Sequence, residues 1–199
     1  MKLFAILTLI FTTIGSIGQA KDLQTAIFAG GCFWCVESDF DHVEGVVETI
    51  SGYTGGTVAN ATYKQVTRGG TGHYEAVKIV FDAGVISFEN LLHVFWRTVD
   101  PTDAGGQFCD RGDSYRTAIF ATDAAQADAA KASKAALDGR LGAPIVTPIL
   151  TASDFWEAEG YHQNYHNTHS LKYKYYRSRC GRDARVAQLW GDEAIFANK

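Results

Sequence analysis

The chain has 199 residues, 46% of them hydrophobic and 13% aromatic, which is enough for one domain with a sizeable core and too few for two ordinary ones. Charged residues make up 20% and the formal net charge is -4, so the broad basic field that draws phosphate backbones is absent and no nucleic acid partner is expected. Twenty glycines against three prolines point to tight turns and not to linkers.

Residues 1–20 form a segment of their own. Lys2 precedes an apolar run from Leu3 to Ile17, and Gly18-Gln19-Ala20 supplies small residues where a signal peptidase cuts, so a signal peptide ending at Ala20 is expected. The run is short for spanning a bilayer, and Lys21-Asp22 follows without a positive cluster. The remainder, 21–199, is expected to be a single exported domain, periplasmic or secreted, monomeric and free of the membrane.

Thr25 to Ala29 predicts a short buried strand, Gly30-Gly31 a tight turn, and Cys32 to about His42 a helix, because Phe33, Val36 and Phe40 recur at helical spacing. Val46 to Tyr53 and Tyr74 to Asp82 predict strands. Ser87 caps a helix whose Phe88, Leu91, Leu92, Phe95 and Trp96 fall on one face, and Asp100-Pro101 stops it. Tyr115 to Ala121 predicts a strand, Asp123 to Leu137 an Ala-rich helix closed by Gly139, and Ile145 to Leu150 a strand that Pro144 and Pro148 place at a sheet edge. From Phe155 onward the pattern is aromatic and polar with short helical pieces and no obvious strand, so 165–199 is expected to be an irregular tail carrying Cys180. This order favours an α/β (α+β) two-layer sandwich with a mixed sheet.

The chemistry concentrates at Gly30-Gly31-Cys32-Phe33-Trp34-Cys35, a thiol at a strand-to-helix junction behind two glycines and beside two large rings. Unpaired amides and the dipole at a helix start favour the reactive thiolate, and Phe33 and Trp34 are suited to line an apolar pocket. Glu75 shares its strand face with Val77, Ile79 and Phe81. A carboxyl held on that face is desolvated and easier to protonate, which suits a general acid near neutral pH.

The motifs Gly31-Cys32-Phe33-Trp34 with Glu37, Tyr63, Gly72-His73-Tyr74-Glu75-Ala76-Val77, Phe95-Trp96, Asp100-Pro101-Thr102, Gln107-Phe108, Asp110-Arg111-Gly112, Tyr115-Arg116 and Ala158-Glu159 with Tyr161-His162-Gln163 resemble the peptide methionine sulfoxide reductase A family. The resemblance spans Thr25 to Tyr165 and implies a ferredoxin-like plait core and reduction of methionine-S-sulfoxide without a cofactor or metal. It further implies Cys32 as the nucleophile on the sulfoxide sulfur, Glu75 as the proton donor, and Tyr63 and Tyr115 as hydroxyl donors to the oxygen. Phe33 and Trp34 are then the cradle of the substrate methyl group, Asp110 and His162 position its backbone, and a thioredoxin-like donor supplies electrons.

Attack of a thiolate on a sulfoxide leaves a sulfenic acid that condenses with a second thiol. Cys35 lies one helical turn away, and Cys180 lies among Arg177, Arg179 and Arg182, which lower a thiol's proton affinity. The family's commonest pattern has glycine where Cys35 stands, so the order of steps stays open. Cys35 is preferred as first resolver, with Cys180 passing oxidation outward, and Cys109 is expected to be a small buried hydrophobe.

Two decoys carry less. His162, His166 and His169 have a metal-ligand spacing, but no Glu follows His162 as a zinc peptidase requires. Arg111-Gly112-Asp113 spells an adhesion tripeptide inside the reductase-like stretch. The competing functions are a general thiol-disulfide oxidoreductase of Cys-x-x-Cys type, which has no use for Glu75, Tyr63 and Tyr115, and a stapled binding module that recognises a partner through its aromatic tail.

Overall fold

A computed structural model describes residues 21–196; the expected signal peptide lies outside them. Their elements are, in chain order, β1 (Leu23–Gly30), α1 (Phe33–Phe40), β2 (Val46–Thr54), α2 (Tyr63–Arg68), β3 (Tyr74–Asp82), α3 (Phe88–Trp96), β4 (Gly106–Gln107), β5 (Asp110–Arg111), β6 (Thr117–Ala121), α4 (Ala124–Ala135), β7 (Ile149–Thr151), β8 (Trp156–Glu157), α5 (Tyr165–Thr168), α6 (Ser170–Cys180) and α7 (Arg182–Trp190). Six strands form one sheet in the order β7-β6-β1-β3-β2-β8, antiparallel except for the β6/β7 pair, and β4 and β5 form a separate ribbon. The mixed sheet with helices against it is the expected fold class. No helix of the described residues is long and apolar enough to cross a membrane.

The core follows from strand periodicity. Ala26 and Phe28 on β1 and Val77, Ile79 and Phe81 on β3 face the helices, where Phe28 meets Phe40, Phe88 and Phe95 at ring separations of 5.5, 6.0 and 4.9 Å. The other face, with Ile27, Ala29, Ala76, Ala118 and Phe120, is covered by Leu150, Ala152 and Phe155. Helix starts are fixed by side chains: Ser87 Oγ accepts from Asn90 N at 3.3 Å and Asp123 Oδ1 from Gln126 N at 2.8 Å.

Several expectations need adjusting. The strand predicted from Tyr115 starts at Thr117, because Asp113–Tyr115 is a 3-10 turn. The strand predicted over 145–150 is confined to Ile149–Thr151, past Pro148, and does lie at the sheet edge. Trp156–Glu157 adds a two-residue strand where none was expected.

The tail predicted to be irregular is largely helical. Tyr173 is the only buried residue of α6, which leaves that helix no apolar stripe to read. On α7 the buried positions are Arg182, Val186 and Trp190, an i, i+4, i+8 row whose first member is a cation. Arg177 pairs with Asp39 and Asp183, both at 2.7 Å, and Arg185 with Asp100 at 2.7 Å, so ion pairs fasten these helices together with the core contacts of Val186 and Trp190.

Candidate active site

Antiparallel pairing sets the C-terminal end of β1 beside the N-terminal ends of β3 and β6: Phe28 is opposite Val77, and Gly30 is opposite Thr117. Cys32, two residues beyond β1, is therefore brought to Glu75 at the start of β3 and to Tyr115 just before β6. Gly31 makes the turn at φ +86°, and a Cβ there would sit 2.6 Å from Gln107 Cβ, so a side chain is barred on both counts. Cys32 is the N-cap of α1. With Phe33, Trp34, Tyr63, Glu75, Asp110, Tyr115 and Tyr176 it encloses a small cavity of about 60 Å³.

Glu75 is 1% exposed. Its Oε2 accepts a hydrogen bond from Phe33 N at 3.1 Å, while Oε1 has no partner. Burial pushes its carboxyl up to about 8, with the charges of Asp110 and Cys35 adding to the effect and the Phe33 amide opposing it. Near neutral pH it is a neutral acid with a free oxygen at the cavity.

The two thiols divide their roles differently from the sequence expectation. Cys32 and Cys35 are both buried and free, and their sulfurs are hydrogen-bonded to each other. Burial, the Cys35 hydrogen bond and the charges of Cys35 and Glu75 hold the Cys32 thiol well above its ordinary value. Cys35 is lowered to about 7, first by the hydrogen bond from Cys32 and then by Arg182 and Arg177, against its own burial. The helix start thus does not by itself make Cys32 the anion. Of the two sulfurs Cys35 is therefore the one that ionises first, while Cys32 keeps its proton.

The aromatic residues are held in a fixed order. Trp34 stacks on Tyr165 with centroids 3.8 Å apart and planes within 7°, and its Nε1 donates to His162 Nδ1 at 3.1 Å. Phe33 packs against Tyr63 and His162, at 6.4 and 5.0 Å, and those two rings lie 4.4 Å from each other. Tyr63 is set by Glu159, whose carboxylate accepts from Tyr63 N at 3.0 Å and from the Tyr53 hydroxyl at 2.9 Å. The Tyr115 hydroxyl lies beside both Tyr63 and Glu75. Burial keeps both phenols protonated, Tyr63 pushed up to about 12 and Tyr115 higher still, so each remains a donor.

Of the expected site residues, the structure gathers Cys32, Cys35, Phe33, Trp34, Tyr63, Glu75, Asp110 and Tyr115. His162 stands one layer back, 2% exposed, as the acceptor that orients Trp34. Tyr176 was missed: its hydroxyl lies against the Cys32 sulfur and donates to Asp110 Oδ2. One tyrosine in an aromatic, cationic tail offered no sequence signal for this.

Cys180 and Cys109 depart most from expectation. They form a disulfide with Cα atoms 4.9 Å apart and 71 residues between them in sequence, so Cys180 is not a free thiol facing Cys32. Cys109 is exposed and not a buried hydrophobe, because it lies on the loop between the two strands of the β4/β5 ribbon. The sequence offered an even cysteine count as the signal for this bridge. Nor do the three histidines converge: His166 pairs with Asp41 at 3.3 Å and His169 stacks on Tyr165.

Comparison with known proteins is consistent with this geometry. The family profile described as peptide methionine sulfoxide reductase matches residues 24–194. The chain is 54% identical over 176 residues to the Rhizobium meliloti protein named peptide methionine sulfoxide reductase MsrA 2, covering 88% of each. Among solved structures, methionine sulfoxide reductase A of Corynebacterium diphtheriae superposes with a TM-score of 0.69 at 31% identity, covering 77% of this chain and 78% of that one. Mxr1 from Saccharomyces cerevisiae in reduced form gives 0.70 at 28%, covering 73% and 85%, and that yeast protein has also been solved in complex with Trx2.

Proposed function

The chain belongs to the peptide methionine sulfoxide reductase family, and we propose that in this member Cys32 and Glu75 perform the reduction, with Cys35 as the resolving thiol. It is an oxidoreductase that converts methionine sulfoxide to methionine. The observation that carries the assignment of residues is a carboxyl with one unpartnered oxygen, buried in the same small cavity as a thiol pair and two phenol donors.

The substrate's methyl group lies against Phe33 and Trp34, and its oxygen faces Glu75, Tyr63 and Tyr115. Glu75, neutral near pH 7, gives its proton to that oxygen, which makes the sulfur electrophilic. The shared hydrogen bond lets Cys35 take the Cys32 proton, and the Cys32 sulfur attacks. The sulfur–oxygen bond of the substrate breaks, methionine leaves, and Cys32 keeps the oxygen as a sulfenic acid. Cys35 then attacks the Cys32 sulfur, the oxygen departs as water, and a disulfide remains. A thioredoxin-like dithiol outside the chain returns two electrons, a reading supported by the yeast relative's complex with Trx2.

Selectivity for the S-epimer follows from the family. Export also belongs to this reading: the 1–20 segment has the pattern of a signal peptide, and a Cys109–Cys180 bridge suits an oxidising compartment. The protein acts there as a monomer. The test is turnover of S- and R-epimer sulfoxide peptides by wild type and Cys32→Ser with dithiothreitol. Reduction of the S-epimer alone, lost in the variant, is expected; reduction of oxidised insulin without sulfoxide reduction points to the general oxidoreductase instead. Secreted protein whose first residue is Lys21 checks the export reading, and retention of Met1 refutes it.

A further inference from the structure

Arg182 is 2% exposed, yet no carboxylate among the described residues lies within ion-pair distance of it. Its Nη2 donates to Gly30 O at 2.8 Å and its Nη1 to Thr98 O at 3.0 Å, and the Phe108 ring covers its face at 4.5 Å. The guanidinium therefore lies directly under the turn leading into Cys32; a Cβ on Gly31 would be 3.2 Å from Nη2. A buried cation without a counter-ion is expensive unless something else carries negative charge nearby. Of the groups around it the Cys35 sulfur interacts most strongly, ahead of Asp39.

We propose that Arg182 is a positioning residue for the resolving step, presenting a fixed positive charge to the Cys35 sulfur while that sulfur closes onto oxidised Cys32. This rests on the reading of Cys32 as nucleophile and Cys35 as resolver. In the resting site Cys32 holds the charge on Cys35 by donating its own proton. Once Cys32 carries the substrate oxygen, that thiol proton is gone and the cations are what remain. Arg177 is already paired with Asp39 and Asp183. Arg182 has no such partner, and of the two cations it acts on the sulfur more strongly. The other groups acting on Cys35 are Asp39 from its own helix, Glu75 from β3, and Tyr173 and Tyr176 from α6, and none of these supplies positive charge.

The Cys109–Cys180 bridge keeps the arrangement in register. Phe108 precedes Cys109, and Arg182 follows Cys180 by two residues, so the bridge ties together the ring and the guanidinium it covers. The step itself balances: Cys35 gives up the proton it took from Cys32, its sulfur forms a bond to the Cys32 sulfur, the sulfur–oxygen bond breaks, and the departing hydroxide takes that proton and leaves as water. Both thiols are thereby oxidised by the two electrons the sulfoxide accepted.

The test is a single turnover with one equivalent of sulfoxide peptide, following methionine release and disulfide closure separately, with dimedone trapping the unresolved sulfenic acid, in wild type, Arg182→Met and Arg182→Lys. Losing a buried cation raises a thiol's proton affinity by about two pH units. Below the thiol's titration range the thiolate then falls about a hundredfold, while its intrinsic nucleophilicity rises about eightfold, so closure slows by roughly tenfold. Arg182→Met is expected to accumulate the dimedone adduct on Cys32 at pH 7, to lose this deficit as the pH rises through its raised titration range, and to be rescued by lysine. Closure with the wild-type pH profile, or slowed equally at every pH, overturns the proposal. If Arg182→Met fails to fold, wild type and Arg182→Lys decide: half-maximal closure below the ordinary thiol range of about 8.5 in both supports it, and a midpoint within or above that range in both overturns it. Failure of wild type to release methionine would instead refute the functional reading beneath it.

Discussion

Replacing Glu75 by glutamine should make the protein more stable at alkaline pH while destroying its activity. The carboxyl binds a proton in the folded state up to about pH 8, whereas its ordinary value is 4.5. Below 4.5 both folded and unfolded chains hold the proton, and the contribution to stability is fully present. Between 4.5 and about 8 the unfolded chain has released it and the folded chain has not, so stability falls as pH rises through that window. The difference of roughly 3.5 decades in proton affinity corresponds to about 5 kcal/mol at 1.36 kcal/mol per decade, an upper bound on the loss. Glutamine is neutral, nearly isosteric, and still accepts the Phe33 amide with its carbonyl oxygen. Urea unfolding of wild type and Glu75→Gln at pH 5 and pH 8.5 is the assay. Curves within about 1 kcal/mol at pH 5 and several kcal/mol apart at pH 8.5, with the variant ahead, are expected. Curves that stay parallel across the range would mean that Glu75 is not held protonated by burial, and its role as acid would fall with it.

Further outcomes follow from the same site. The pH profile of kcat/KM should be bell-shaped, rising as the thiol pair ionises near 7 and falling as Glu75 loses its proton near 8; a profile that climbs without turning over through pH 9 contradicts the acid. Tyr63→Phe and Tyr115→Phe should each lower kcat by about tenfold to a hundredfold, and the double variant should lose less than the product, because the two hydroxyls adjoin one another. The double variant Cys109→Ser with Cys180→Ser should lose up to about 4 kcal/mol in urea unfolding, from the loop entropy of a long closure, while dithiothreitol-driven turnover persists. Unchanged stability with abolished turnover would instead make that pair an obligatory electron carrier.

The parts of the fold that were legible in the sequence are those whose burial is apolar and periodic. α3 could be read from Phe88, Leu91, Leu92, Phe95 and Trp96, and Glu75 from its place on the apolar face of β3, where the same alternation that buries Val77 buries a carboxyl. The C-terminal helices were hidden because ion pairs and one buried cation supply much of their attachment, to which hydrophobic pattern is blind, and only Tyr173, Val186 and Trp190 are buried apolar positions. Tyr176 and Arg182 reach the thiols only through that tail. The proton's place on Cys32 was also hidden, since it depends first on the hydrogen bond between the two sulfurs and then on Arg182 and Arg177, not on which cysteine opens the helix. The Cys109–Cys180 bridge joins residues 71 apart, and spacing alone does not choose a partner among four cysteines.

One measurement reaches the centre of the account. In Cys35→Ser, a single turnover with sulfoxide peptide followed by mass spectrometry should release one methionine per chain and leave Cys32 one oxygen heavier, or as its dimedone adduct, with Cys109–Cys180 intact. A Cys32–Cys180 disulfide formed at the wild-type rate would hand the resolving role to the tail, and methionine release with Cys32 unmodified would show that another group attacks the sulfoxide.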